Sequence, residues 1–341
     1  MKKMFFFAML LSATWLSAQE ADTDNKVLTT EEEELVTTNL ATQEEAPADT
    51  TWKTGGTFGL NFSQTYLENW AAGGQSSISG TGLLSLFANY AEGRQTWDNS
   101  LDLAYGLLRQ GESGSVIKTD DRIDFSSKYG YKASENWYYS GLVNFRTQFA
   151  PGYTIVDGEP TDDLISDFLA PAYLLVAPGM DYKPNDKFSA FISPATYKMT
   201  IVMNDSLADA GAFGVDAAEF DPDGMMTSSG KNIRSEIGGF LKLQYQTELV
   251  ENVGLQTRLD LFSNYMNNPQ NIDVNWETLI SMKINEYLTT TISTQLLYDD
   301  DIDIIAREAE LDADGNIVRA AEVGPRVQFK EVLAIGFSYK F

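Results

Sequence analysis

The sequence predicts an all-β protein, a transmembrane up-and-down antiparallel β-barrel of about twelve strands. Three observations predict it. Apolar and polar residues alternate along most of the chain, short and long connections alternate between these segments, and the last segment keeps the alternation up to a terminal phenylalanine. The chain has 341 residues, of which 12% are aromatic and only 10 are proline, a composition that favours strands over disorder.

The alternation has a period of two, which is typical of a strand with one apolar and one polar face. Between Trp97 and Leu107 the odd positions are largely apolar, whereas Asp98, Ser100 and Asp102 occupy even positions. The same pattern predicts strands near residues 56–68, 76–91, 94–108, 121–133, 136–149, 171–183, 187–203, 233–248, 252–266, 272–286, 287–299 and 326–341. An even number of strands places the N- and C-terminal ends of the barrel's chain on the same side of the membrane.

The connections between these segments are of two kinds. Tight turns with Gly, Asn, Asp or Ser chemistry fall near residues 92–93, 134–136, 185–186, 251–252 and 285–286. Longer connections fall near residues 69–75, 109–120, 150–170, 204–232, 267–271 and 300–325. A strict alternation of short and long connections is typical of membrane barrels, with their periplasmic turns and extracellular loops.

The C-terminal segment carries an apolar residue at every second position up to the last one. This run, which ends in Phe337, Tyr339 and Phe341, is similar to the C-terminal strand signal that outer-membrane barrels present to their assembly machinery. We predict that it is the membrane-insertion strand. Aromatic residues near other strand ends would form the two interfacial girdles of a barrel, namely Tyr90, Trp97, Tyr131, Trp137, Tyr139, Trp276 and Tyr298.

A short element joins the first two predicted strands. Residues 63–74 read Ser-Gln-Thr-Tyr-Leu-Glu-Asn-Trp-Ala-Ala-Gly-Gly, and the part with Asn69, Trp70, Gly73 and Gly74 is its most distinctive stretch. Here the chain resembles a family of outer-membrane barrels from Bacteroidota known as domain of unknown function 3078, with the resemblance running from about Trp52 to Phe341. The resemblance implies the same fold and membrane, and it implies no catalytic or binding residues.

The N-terminus predicts export. Met1-Lys2-Lys3, a short apolar run and a small-residue zone predict a signal peptide over residues 1–18, because the run is too short to cross a bilayer as a helix. Residues 19–51 follow with ten acidic residues and Lys26, so they predict an acidic flexible leader. Docking to a partner or occupation of the lumen is the alternative. The barrel is predicted over residues 52–341.

The composition excludes several functions. With 24 Lys and Arg against 49 Asp and Glu, the formal net charge is −25, which disfavours binding to nucleic acid. The chain has no histidine and no cysteine, which excludes catalytic triads, thiol nucleophiles, disulfides and zinc fingers. Asp98, Asp102 and Asp124 would permit carboxylate chemistry, but lumen carboxylates are more often partners of lumen bases. We predict a protein that is not an enzyme and has no cofactor and no metal.

The polar faces of the strands carry charges of both signs. We predict that these charged residues line the lumen: Asp98, Asp102, Arg122, Asp124, Lys128, Arg146, Arg234, Glu236, Lys242, Arg258, Asp260, Glu277 and Lys283. One interpretation is a salt-bridged interior that closes the barrel, and the other is a hydrated pore that selects polar solutes. A barrel of twelve strands is intermediate in width between small barrels that side chains fill and large barrels that contain a wide channel.

Two predicted strands, near 171–183 and 187–203, are apolar on both faces. Pro171, Pro178 and Pro194 interrupt them, so bulges or a distortion of the sheet are expected. An apolar lining or lateral opening for a lipid-like ligand would explain the pattern, as would a loop or the leader packed against this wall. The long connections near 150–170, 204–232 and 300–325 are acidic, which is typical of solvated loops; bridging by hard cations is the alternative.

The sequence therefore predicts an outer-membrane barrel of a Gram-negative, Bacteroidota-like cell. Its expected function is that of a non-enzymatic, porin-like channel for small solutes. The alternative is a structural or accessory subunit of a cell-envelope complex with a closed lumen. Expected partners are outer-membrane lipid, lipopolysaccharide, the barrel assembly machinery and other envelope proteins.

Overall fold

The computed structural model describes residues 51–68, 75–111, 114–156, 158–307, 310–311, 317–319 and 322–341. The predicted signal peptide and most of the acidic leader lie outside the described residues. Asn69, Trp70, Gly73 and Gly74 of the predicted family element also lie outside them.

Twelve antiparallel strands form one closed barrel, in which each strand pairs with the next and the last pairs with the first. The prediction of a twelve-stranded up-and-down barrel is confirmed. The strands are β1 (Trp52–Thr65), β2 (Ser77–Glu92), β3 (Gln95–Gln110), β4 (Val116–Lys132), β5 (Trp137–Thr147), β6 (Ala172–Asn185), β7 (Phe188–Ile201), β8 (Ile233–Val250), β9 (Val253–Asn264), β10 (Asp273–Lys283), β11 (Leu288–Tyr298) and β12 (Gln328–Lys340).

The connections alternate as predicted. Short turns join β2 to β3, β4 to β5, β6 to β7, β8 to β9 and β10 to β11, and they lie at the same end as the start of β1 and the end of β12. We call this end the turn end, and the opposite one the loop end. β4 begins at Val116, five residues before the predicted start, so the loop before it is shorter than expected.

The outer wall is apolar, and aromatic residues gather on it near the turn end. Trp52 lies 5.3 Å from the ring of Tyr90 and 5.9 Å from the ring of Trp97, measured between ring centroids. Trp137 lies 4.8 Å from the ring of Tyr182. A soluble protein would bury such side chains, whereas Trp52 and Trp97 are 47% and 43% exposed. An apolar wall with an aromatic ring suits contact with lipid.

The distortion predicted around Pro178 is present. Pairing between β6 and β7 is interrupted between Val176 and Met180, and pairing between β7 and β8 shifts at Gly238. Ser193 donates its hydroxyl to the carbonyl of Pro178 at 2.7 Å, and Thr196 donates to Ser193 at 2.8 Å. These hydroxyls hydrogen-bond polar groups that the bulges leave outside the strand ladder.

The long loops cover part of the loop end. The loop of residues 148–171 and the loop of residues 202–232 share a small apolar core around Val202, Leu207 and Val215. The helix Asp205–Asp209 is short, and no helix of the described residues has the length and apolar character needed to span a bilayer. In the same loop Lys231 lies 2.5 Å from Asp216, and this hydrogen-bonded contact holds the pKa of that exposed carboxyl below its usual range.

Candidate functional site

The lumen contains a charged wall that links nearly opposite sides of the barrel. Arg146 on β5 contacts Asp124 on β4 at 3.0 Å and Asp260 on β9 at 3.3 Å. Arg258 on β9 contacts Glu277 on β10 at 2.8 Å, Asp260 at 3.5 Å and Asp124 at 3.9 Å. Because β4 and β9 are five strands apart in a ring of twelve, these contacts cross the lumen.

A second charged cluster lies towards the turn end. Lys128 contacts Asp181 at 2.7 Å, and Lys183 contacts Asp181 at 3.3 Å and Asp98 at 3.9 Å. Asp181 and Lys183 were not among the predicted lumen residues, because β6 is apolar on both faces and its lumen-facing positions do not stand out. The two residues are separated by one position, so they share a face of the strand, and this period of two is the signal that could have identified them.

A third cluster lies at the loop end. Lys198 contacts Asp273 at 2.7 Å, and both Glu236 and Asp299 at 3.6 Å. Arg234 contacts Glu236 at 3.2 Å and also forms a close ion pair with Asp301 in the last long loop. This cluster ties the loop to strands β7, β8 and β10. Lys198 was not among the predicted lumen residues.

Apolar side chains fill the lumen beside β5 to β9. Leu142, Ala177, Phe191, Phe240 and Phe262 form one buried cluster inside the barrel. The two-faced apolar pattern of β6 and β7 is therefore explained by packing into the lumen. β6 and β7 pair on both sides of the interruption at residues 177–179, so they do not form an open seam of the kind that this pattern suggested. We call this filled side of the lumen the closed half.

The other half of the lumen contains a cavity of about 1360 Å³. It is bounded mainly by β1 to β4 and β10 to β12, and it reaches Ile117 and Tyr153 at the loop end and Asn285 and Glu286 at the turn end. The charged wall separates it from the closed half, since Arg258 lines both this cavity and a small pocket on the other side.

The remaining predicted charges have different surroundings. Asp102 accepts a hydrogen bond from Ser85 at 2.5 Å, and Lys242 lies opposite Asp260 on the neighbouring strand. Arg122 and Lys283 line the cavity, and neither forms an ion pair with a described residue. The structure thus gathers most of the predicted charges into three clusters, and leaves Asp102, Arg122 and Lys283 facing the cavity without an ion pair to a described residue.

The arrangement suits passage or binding better than catalysis. Asp98 and Asp124 contact basic groups and Asp102 a hydroxyl, so they are engaged as structural partners. Among the described residues no group of three or more acidic side chains is placed to hold a metal ion.

A comparison with solved structures finds β-barrels of outer membranes. They include an outer-membrane channel from Pseudomonas putida F1, with a TM-score of 0.36 and 13% identity, covering 87% of this chain and 100% of that one. The translocator domain of the autotransporter NalP from Neisseria meningitidis has a TM-score of 0.36 and 10% identity, covering 86% and 89%. The toluene transporter TodX from Pseudomonas putida has a TM-score of 0.33 and 10% identity, covering 86% and 80%.

These identities and TM-scores are too low for the activities of those proteins to be carried over to this chain. A comparison with curated proteins gives no match. Residues 62–153 match the sequence model of a family described as "Protein of unknown function (DUF3078)". The match includes the element of residues 63–74 and extends through β2 to β5, and the predicted resemblance to this family is confirmed over residues 62–153.

Proposed function

We propose that the protein is a non-enzymatic, porin-like channel for small polar solutes in the outer membrane of a Gram-negative, Bacteroidota-like cell. One observation carries the proposal: the cavity extends from loop-end residues such as Ile117 to the turn-end residues Asn285 and Glu286. A path along one side of the barrel therefore reaches both ends. Outer-membrane lipid and lipopolysaccharide would surround the apolar wall, and the assembly machinery would engage Phe341.

The chemistry of the cavity favours polar solutes. Its lining contains hydroxyl groups on β11, such as those of Thr291 and Ser293, together with the cations Arg122 and Lys283. Hydroxyls exchange hydrogen bonds with a hydrated solute. The lining also carries Asp102 and Glu286, which likewise form no ion pair with a described residue, so charges of both signs face the solute. We therefore propose that the channel passes small polar solutes and that Arg122 and Lys283 attract anions among them.

The test is single-channel conductance of the mature protein in a planar bilayer, with a variant that narrows the cavity. Ser293→Trp places a large ring on the lumen face of β11, the face on which Gln295 hydrogen-bonds Glu277. Conductance should fall at least several-fold. Thr290→Trp is the matched control, because position 290 lies on the outer face of the same strand and should leave conductance unchanged.

Two outcomes would contradict the proposal. A folded barrel that gives no conductance in any solute would favour the alternative, a structural or accessory subunit with a closed lumen. Equal conductance of the wild type and Ser293→Trp would mean that ions do not pass through this cavity.

A further inference from the structure

The seam between the first and last strands is only partly closed. β1 pairs with β2 along its whole length, from Trp52 to Thr65, but with β12 only as far as the pair Asn61 and Gly336. β12 pairs with β11 along residues 328–337. Residues 62–65 of β1 and 328–335 of β12 thus have a neighbour on one side, and none of the described residues pairs with them across the seam.

The exposure of the side chains shows the same gap. Where the seam is paired, exposed and less exposed residues alternate along both strands, as expected for a wall with lipid on one side. From Phe62 to Thr65 and from Phe329 to Leu333 every residue is exposed, whichever face it belongs to. Phe62 is 60% exposed, and the lumen-side Val332 is 38% exposed.

The gap lies at membrane depth. At a rise of about 3.3 Å per residue and a tilt of about 40°, Leu333 lies about 15 Å above Tyr339 of the turn-end aromatic ring, inside an apolar band about 25 Å tall. Strand edges without partners are not stable in lipid, because their backbone N–H and C=O groups need hydrogen bonds. Here these groups border the cavity, which gives water or a polar ligand access to them.

The cavity reaches both edges of the gap. Its lining includes the consecutive residues Phe62 and Ser63 on β1, and Val332 and Leu333 on β12. The outer lips of the gap are apolar, with Leu333 and Ile335 exposed by 67% and 59% on the lipid side. A molecule in the gap would therefore meet lipid-facing apolar side chains outside, and inside it would meet a cavity lined by hydroxyl, charged and apolar groups.

The inner side of the gap carries charges of both signs, cations among them. Lys330 on β12 reaches across the cavity to Asp120 on β4 at 3.1 Å, and its side chain is 46% exposed. Arg122 lies two residues further along β4, on the same face as Asp120. It forms no ion pair with any described residue, although it interacts electrostatically with Asp102, Asp124 and Glu277. An anionic group that enters the cavity through the gap would meet this guanidinium on the cavity lining.

From these observations we infer that the gap between β1 and β12 is a lateral entry site for a single-chain amphiphile with an anionic head group. The apolar chain lies between the lips formed by Phe62, Leu333 and Ile335, and the head group turns into the cavity towards Arg122. This inference uses the cavity of the proposed channel, but it does not require that the cavity conducts ions.

The chain contains no cysteine, so the seam can be locked by one engineered disulfide. Gly56 and Phe341 exchange both backbone hydrogen bonds, which places residues 59 and 338 in a non-hydrogen-bonded pair, with the close spacing that a disulfide accepts. Non-hydrogen-bonded pairs recur every two residues along the seam. If the register of β1 and β12 is continued beyond Asn61 and Gly336, Ser63 and Ala334 form the next pair of this kind. Ser63→Cys with Ala334→Cys locks the open part of the seam. Gly59→Cys with Ser338→Cys is the matched control in the part that is already paired.

The probe is a C12 carboxylic acid with a diazirine in its chain, added to vesicles that contain the full mature protein. After irradiation, mass spectrometry separates adducts on lumen-facing residues from adducts on the outer wall. We expect lumen adducts in the wild type, at least a tenfold loss of them in the oxidised Ser63/Ala334 variant, and recovery on reduction. The Gly59/Ser338 variant should behave like the wild type in both states, and adducts on the outer wall should stay constant.

The head group is tested separately. Arg122→Gln should lower lumen labelling by the carboxylic acid severalfold, and should leave labelling by the corresponding C12 alcohol unchanged. If the disulfide does not form, a bis-maleimide that spans a wider gap joins the same two cysteines. The variant before treatment with the bis-maleimide then takes the place of the reduced state, because the thioether bonds are not reversed by reduction.

Three results would overturn the inference. Lumen labelling that persists in the locked variant would mean that the amphiphile enters from an aqueous mouth. An absence of lumen adducts in the wild type would mean that there is no such site. Equal labelling by the acid and the alcohol, in both the wild type and Arg122→Gln, would mean that the site does not select an anionic head group. A failure of the channel proposal would instead appear as absent conductance, with labelling intact.

Discussion

Replacement of Arg258 by glutamine should both weaken the barrel and open its charged wall. The guanidinium contacts Glu277 at 2.8 Å, Asp260 at 3.5 Å and Asp124 at 3.9 Å, and its side chain is only 9% exposed. In Arg258→Gln these three carboxylates keep their negative charge but lose the cation between them. Arg146 still contacts Asp124 and Asp260, so the loss falls mainly on Glu277.

The magnitude follows from these contacts. A hydrogen bond to a charged group contributes about 1.5–3 kcal/mol, and a buried pair that loses one partner costs about 3–5 kcal/mol. Because the cavity brings water to one side of the wall, we expect the lower end of that range, about 3 kcal/mol of unfolding free energy. This corresponds to roughly a hundredfold change in the unfolding equilibrium.

The assay is urea unfolding of the protein refolded in lipid vesicles, followed by tryptophan fluorescence. Arg94→Gln is the matched control, since Arg94 is exposed at a turn, where it donates to the carbonyl of Lys132 and lies 4.9 Å from the centroid of the Tyr131 ring. The control should change the unfolding free energy by at most about 1 kcal/mol. The double variant with Glu277→Gln should recover at least about 1 kcal/mol, because it removes the charge that is left without a partner.

The same variant should raise the conductance, since Arg258 separates the cavity from the closed half. A destabilisation below about 1 kcal/mol, together with no recovery in the double variant, would refute the reasoning. It would mean that water screens these pairs as it screens pairs on a protein surface.

Three further predictions follow from single sites. Gly336→Val should destabilise the barrel by about 1–3 kcal/mol, because a Cβ at this position would meet the backbone and a side chain of β1. Gly82→Ala is the control, because a Cβ at position 82 meets no other atom, and it should change the stability little. Urea unfolding measures both variants. Ser193→Ala should cost about 1–3 kcal/mol in the same assay, since it removes hydrogen bonds at the bulge, and a cost near zero would contradict that role. Arg122→Glu should make the channel more selective for cations, which a shift of the reversal potential in a salt gradient measures. Lys187→Glu, in a turn outside the cavity lining, should leave the reversal potential unchanged.

Much of this molecule is predictable from local patterns. A barrel wall has lipid on one side and the lumen on the other, so each strand must alternate, and the alternation of turns and loops follows from the up-and-down path. The run that ends in Phe341 and the charges on the even positions of β3 are visible in the sequence for this reason. Strand number and the outward faces therefore follow from the sequence alone.

The tertiary structure decided which side chains meet. Arg146 and Asp260 are 114 residues apart, and only the curvature of a twelve-stranded barrel brings them within 3.3 Å. The sequence pattern does not identify Asp181 as a lumen residue, because its strand is apolar on both faces and one of these faces packs inside the lumen. The end of the β1 and β12 pairing at Asn61 and Gly336 depends on how the first and last strands meet, and a local pattern cannot encode a contact between the two ends of a chain.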